Sequence, residues 1–146
     1  MSPRKGASNS TRRPNPETAI VADVMKALRV LGLFVWRQNT LPIPLRQGNK
    51  ITGFRPALKR GVSDILGIIP VPVYIIIDDE YVKVYTGVML AVEVKQPKSK
   101  LSDVQIEFRD EILKNGGVYL EVHSAAELVE LIGPYLNGQI TPTFVG

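Results

Sequence analysis

Asp64, Glu93 and Lys95 are the residues of this sequence whose types and spacing point to a reaction. Gly61-Val62-Ser63-Asp64 stands at the mouth of one apolar run, and Glu93-Val94-Lys95 closes another, Val88-Met89-Leu90-Ala91-Val92. Successive side chains of a strand point to opposite faces, so Glu93 and Lys95 share a face. With the strand of Asp64 beside them, two carboxylates and one ammonium converge at a sheet edge. Phosphodiester hydrolysis calls for this inventory. A hard cation such as Mg²⁺ is held by one or two carboxylates, water and substrate phosphate. It acidifies water and offsets charge growing on the phosphoryl oxygens. A neighbouring lysine orients the attacking water and answers the same charge. The backbone carbonyl of Val94, between the two side chains, is a further candidate ligand. An isolated Glu-x-Lys at a strand end is usually a solvated ion pair of little worth. Here the pair ends a continuous apolar strand, where a charge is costly without a purpose.

The elements that hold these residues are read from hydrophobic periodicity. Pro16 and Glu17 open a helix whose Ile20, Val24, Leu28 and Leu31 fall on one face, and Gly32 ends it. Residues 33–36 read as a strand. Residues 38–60 contain Pro42, Pro44, Gly48, Gly53 and Pro56 and read as a long, basic, irregular segment. Residues 65–73 form an apolar run broken by Gly67, Pro70 and Pro72, and 74–77 with 81–85 flank Asp78-Asp79-Glu80 as a hairpin. Residues 88–94 have the character of a buried strand. Ser102-Asp103-Val104-Gln105 fits a capping box opening a helix, with Val104, Phe108 and Ile112 on its core face and Gly116-Gly117 as its stop. A strand at 118–122 follows, then a capping box at Ser124-Ala125-Ala126-Glu127 and a helix ending before Gly133-Pro134. This order, α-β-β-β-α-β-α, is that of an α/β protein with a mixed sheet flanked by helices. The expected organisation is a disordered basic tail at 1–16, a folded domain at 17–133 and a C-terminal tail at 134–146.

Composition narrows the partners. A chain of 146 residues suits one domain. It has no cysteine, which excludes disulfides and thiolate metal sites. No apolar run nears the roughly 20 residues of a membrane helix, and the polar N-terminus lacks a secretory signal, so no membrane association and a cytoplasmic location are expected. The net charge of +4 conceals segregation. Arg4, Lys5, Arg12 and Arg13 form one acid-free cluster; Arg37, Arg46, Lys50, Arg55, Lys59 and Arg60 form a second; Lys95, Lys98 and Lys100 form a third. Segregated positive charge suits a polyanion, because each phosphate contact releases condensed counterions. Phosphate contacts are expected from the second cluster and from Lys98 and Lys100, positioning DNA without reading its sequence.

Gly61-Val62-Ser63-Asp64, Glu93-Val94-Lys95 and Leu101-Ser102-Asp103-Val104-Gln105 together resemble the PD-(D/E)xK nuclease superfamily, and more narrowly its VRR-NUC domain. That family reads as an early Glu on the first helix, Gly-x-x-Asp, Glu-x-Lys, a helix starting Leu-Ser-x-x-Gln, and a Gly-Gly turn before a strand. The chain supplies Glu17, Asp64, Glu93, Lys95, Gln105 and Gly116-Gly117 in that order, over residues 17–132. A departure is Ser63, where the family usually has proline; the position supplies no ligand. The resemblance implies a restriction-endonuclease-like core and an enzyme, a Mg²⁺-dependent endodeoxyribonuclease for which Mn²⁺ substitutes. Asp64, Glu93 and the Val94 carbonyl would hold the ion, Lys95 would assist the water, Gln105 would orient the site, and Glu17 would reach it from the first helix. Glu17 and Gln105 also have purely structural readings, as a residue favoured at a helix N-terminus and as a capping-box partner. His123 reads as a surface or supporting residue, and Tyr74, Tyr81 and Tyr85 as packing. Standalone, phage-type members of the family act on DNA structure, which implies branched DNA such as a four-way (Holliday) junction, DNA repair or processing in a host cytoplasm, and a homodimer matching the junction's two equivalent cuts. A flap or general nicking nuclease and a DNA-binding module without chemistry are the alternatives.

Overall fold

The computed structural model describes residues 15–38, 42–55 and 59–145. The N-terminal basic cluster lies outside the described residues.

Helix α1 (Pro16–Val30) starts where the sequence dictates. Asn15 is the N-cap, its side chain accepting the Glu17 N–H at 3.3 Å, and Pro16 costs nothing at a position whose N–H has no helical partner. Val21, Val24, Met25 and Leu28 are buried, while Ile20 is half-buried and Leu31 exposed, so the inward stripe is rotated slightly from the row read from the sequence. Four strands make the main sheet: β1 (Phe34–Arg37), β4 (Ile65–Ile77), β5 (Glu80–Val94) and β6 (Val118–Val122), in the order β1-β4-β5-β6. The first two pairings are antiparallel; β5 and β6 run parallel, joined across one face by α2 (Asp103–Lys114). Helix α3 (Ala125–Leu136) follows β6.

The sheet's two faces bury different partners. Ile65, Ile69 and Val71 of β4 with Leu90, Val92 and Val94 of β5 pack against α1 and α3, through Val24, Leu28, Leu128 and Ile132. On the other face Leu66 and Ala91 pack against Phe108 of α2. The result is an α/β protein with a mixed sheet between helices. Leu90 through Val94 are buried without interruption, and at roughly 1.5–3 kcal/mol per fully buried large apolar side chain this stretch is a stiff platform. No helix among the described residues is long and apolar enough to cross a membrane.

Three expectations are corrected. Residues 38–60 are not irregular throughout: β2 (Ile43–Gln47) and β3 (Lys50–Arg55) form a separate antiparallel hairpin, turned at Gly48 with φ +62°. The apolar runs from 65 to 94 are two long strands rather than several short ones. Asp78 and Asp79, with φ +50° and +64°, make the two-residue turn that joins them. Pro70 and Pro72 do not interrupt β4, because pairing with β1 ends at Ile68 and both proline nitrogens face the open edge, where no donor is required. Finally, α3 continues through Gly133 and Pro134 to Leu136. A proline in the last turn removes one helical hydrogen bond near an end that has few left to lose.

Candidate active site

Strand register brings the candidate residues together. Ile65 pairs with Val92, which sets Asp64 opposite Glu93 one step beyond. The Val94 N–H donates to Asp64 Oδ2 at 2.9 Å, and the Asp64 carbonyl accepts the Gln38 N–H at 2.7 Å, so Asp64 is held from both neighbouring strands. The Lys95 N–H donates to the Val122 carbonyl at 2.9 Å, extending the β5–β6 pairing past the end of β5. Successive residues of a strand direct their backbone groups to alternate sides. The Val94 carbonyl therefore points to the same side as its N–H, toward Asp64.

Glu93 is 3% exposed, and its Oε1 is held twice: by Lys95 Nζ at 3.0 Å and by the Gln105 side-chain amide at 2.5 Å. Its Oε2 is buried with no protein partner. Burial raises the Glu93 carboxyl to about 7, the negative charge of Asp64 pushes in the same direction, and Lys95 opposes both. An acid that is half protonated near neutrality in the protein alone is one that an added positive charge would ionise.

Two features of the chain create this geometry. Gly61 has φ +73°, and a Cβ there would lie 2.0 Å from the Val104 carbonyl oxygen. Only glycine lets the turn before Asp64 lie against the first turn of α2. Gln105, in that same turn, accepts the Ser102 N–H at 2.9 Å through Oε1 while its amide nitrogen holds Glu93. The capping and site-orienting readings of Gln105 are both realised in one side chain.

Glu17 lies half-buried in the first turn of α1. The Gln96 side chain donates to the capping Asn15 at 3.5 Å, which ties the start of α1 to the end of the Glu93–Lys95 strand. Among the described residues no group of three or more His, Cys, Asp or Glu side chains is arranged to hold a metal ion. The acidic donors at the centre of the site are Asp64 and Glu93. His123 is not at this centre; its backbone N–H and ring Nδ1 meet Glu127 at 2.7 and 3.1 Å.

The basic residues divide. Arg37 is exposed at the end of β1, next to Gln38 and its bond to Asp64. Arg46, Lys50 and Arg55 are exposed on the β2–β3 hairpin, and Lys98 is exposed. Lys100 lines a cleft of about 290 Å³ with Ser99, Arg109 and Glu121. Lys59 and Arg60 share a groove of about 500 Å³ with Glu107, Asp110 and Glu111, so their field is partly spent on α2.

Sequence reasoning gave no part in the site to two residues. Ser63 is fully buried, and its hydroxyl lies against that of Tyr119 on β6 without a well-aligned hydrogen bond to it or to any other protein group. Tyr119 pairs with Ala91 on the sheet face that carries Glu93. Burial, and next the charge of Glu93, raises its phenol to about 12, so it stays neutral beside the acid. Nothing but the register of β6 on β5 signals this position, since apolar residues surround Tyr119 in the sequence.

No protein-family model matches this chain, and no curated protein matches it.

Proposed function

We propose that this chain is a metal-dependent DNA endonuclease with a restriction-endonuclease-like core, its site formed by Asp64, Glu93, Val94 and Lys95. The observation that carries the reading is the convergence of two carboxylates and a lysine at one end of a stiff sheet, with Glu93 Oε2 buried and unpartnered. The donor set fits Mg²⁺, and Mn²⁺ in its place: hard oxygen ligands from two carboxylates and a strand carbonyl, with the remaining positions left to water and phosphate. When bound, the ion supplies charge that acidifies water and stabilises the phosphoryl transition state. The chain's own contributions follow from position. Lys95, 13% exposed and held on Glu93, presents an ammonium that orients the attacking water and answers charge growing on the non-bridging oxygens. Gln105 fixes Glu93 so that one oxygen remains available. Glu17, in the first turn of α1, is the candidate further acid; the Asn15–Gln96 contact joins the start of that helix to the segment after β5. Arg37, the β2–β3 hairpin and the Lys98–Lys100 turn supply phosphate contacts that position the duplex, while Lys59 and Arg60 contribute less because acids face them.

The proposed substrate is branched DNA, a four-way junction first, cut by two copies about a two-fold axis. A second reading, a DNA-binding module without chemistry, draws support from the absence of a third acidic or histidine ligand among the described residues. The deciding experiment compares wild type with Lys95→Ala on labelled junction, flap and duplex DNA, in Mg²⁺ and in EDTA. The nuclease reading expects metal-dependent cutting by wild type that the variant loses while its DNA binding persists. Salt-sensitive binding with no cutting of any substrate selects the binding module.

A further inference from the structure

Beyond the packed sheet, β4 and β5 continue as a two-stranded arm, residues 73–85, that carries apolar side chains on both faces. Tyr74, Ile76, Tyr81 and Tyr85 are 65, 64, 78 and 63% exposed on the face that carries Glu93 further down, and Ile75 and Ile77 are 41 and 49% exposed on the other. Taking about 200 Å² for a whole large side chain, the four residues of the first face leave roughly 540 Å² uncovered, at the upper end of the largest apolar patch of an ordinary monomer, and the two isoleucines add roughly 180 Å² on the opposite face.

The edges of the arm are not equivalent. Pro70 and Pro72 remove donors from the outer edge of β4 at the arm's root. They also fix the hydrogen-bond phase. Their partners Gly87 and Tyr85, and with them Lys83 and Tyr81, direct backbone N–H and C=O groups away from β4, just as Lys95 directs its N–H to β6. Strand β6 reaches only Leu90, so among the described residues no strand pairs with β5 over 80–89. This is an open, proline-free edge between apolar faces, the template to which another strand adds.

Charge selects the occupant. The tip carries Asp78, Asp79 and Glu80 against the single cation Lys83, which repels a phosphate backbone and sets the arm apart from the basic hairpin β2–β3. A second copy laid antiparallel along the same edge places the two acidic tips at opposite ends of the joint ribbon, leaving Tyr81 and Tyr85 of each β5 to meet along the seam with the isoleucines of β4 flanking them on the outer strands. We propose that the arm is a self-association surface: two copies of this chain pair through the β5 edge of residues 80–89 about a two-fold axis, forming a four-stranded antiparallel ribbon. An isologous contact of this kind closes at two copies. It deepens the two-copy arrangement proposed above by giving it an interface, and it stands on the arm alone.

The test measures mass by sedimentation equilibrium in EDTA without DNA, for wild type and for Ile76→Lys with Tyr81→Lys. These two positions are exposed and oppose each other across the strands, so the core is untouched; unchanged circular dichroism and melting confirm this. Wild type is expected to be a dimer at micromolar concentration, with the dissociation constant of the variant raised on the order of a hundredfold or more. Hydrogen exchange gives the second readout: the amides of Tyr81, Lys83, Tyr85 and Gly87 gain protection with concentration in wild type and not in the variant. A monomeric wild type, a variant that stays dimeric, or an open-ended series of oligomers overturns the proposal. So does a monomer whose arm amides become protected only on adding duplex DNA, which would assign the arm to nucleic acid. Lys95→Ala is expected to remain a dimer, so loss of cutting and loss of association are read independently.

Discussion

Replacing Glu93 by Gln should make the metal-free protein more stable, and by an amount that depends on pH. Burial holds the Glu93 carboxyl at about 7 in the folded chain against 4.5 for an unperturbed one. The folded state thus binds this proton more tightly than the unfolded state, and folding is penalised once the solution is basic enough to remove it. The penalty is absent well below the unfolded value, grows as pH rises between the two values, and is complete above the folded one. A shift of this size corresponds to about 3 kcal/mol at pH 8 and to under about 1 kcal/mol at pH 5. Glutamine has nearly the shape of the protonated acid and can still accept from Lys95 and Gln105, so Glu93→Gln removes the penalty without opening a cavity. Urea unfolding in EDTA at the two pH values measures the difference, and the melting temperature at pH 8 should rise by roughly 5–10 °C. Mg²⁺ should narrow the gap by stabilising wild type and not the variant. A gain of equal size at both pH values, or a loss at pH 8, would refute the argument from burial.

Three further outcomes follow from the same geometry. Gln105→Ala removes both the acceptor of the Ser102 N–H and the donor to Glu93; it should cost about 1–2 kcal/mol in urea unfolding and lower single-turnover cleavage. Gly61→Ala meets both a positive φ and the Val104 carbonyl, so a loss of at least about 2 kcal/mol is expected, with the same assay as the check. Replacing Arg46, Lys50 and Arg55 together by Ala should weaken duplex binding evenly across sequences and make the slope of log affinity against log salt shallower by up to about 3; an unchanged slope would remove the β2–β3 hairpin from the proposed DNA-binding surface.

The juxtaposition of the candidate site residues was more legible in the sequence than the sheet was. Asp64, Glu93 and Lys95 were legible because side-chain alternation along one strand is local, and Gln105 because a capping box is contained within four residues. The length of β4 was not legible. Pro70 and Pro72 are strand breakers only where a neighbour needs their N–H, and whether β1 reaches them depends on where β1 stops, which is a tertiary fact. The β2–β3 hairpin was hidden for a related reason: its residues are almost all exposed, so no buried face imposes alternation on the sequence. Pro134 misled because it lies within three residues of the end of α3, where a missing donor costs little. Tyr119 could be placed on the face of Glu93 only once β6 was paired with β5, and Ser63 only through Tyr119, against which it lies.

One arrangement ties the chain's local rules to its chemistry. The turn at Gly61 must touch the first turn of α2 for Asp64 to enter β4 where it does, and that same helical turn carries the glutamine that fixes Glu93. The β4–β5 register and the Val94 N–H bond set the two carboxylates opposite each other, and the contact between the glycine turn and the helix start supports both of them at once. The cation site proposed between the two acids calls for such shared support. The shared support also means that Asp64 and Glu93 stand or fall together. Gly61→Ala and Gln105→Ala disturb one junction, so their combined effect on stability should be smaller than the sum of the two, whereas two independent supports would give simple addition.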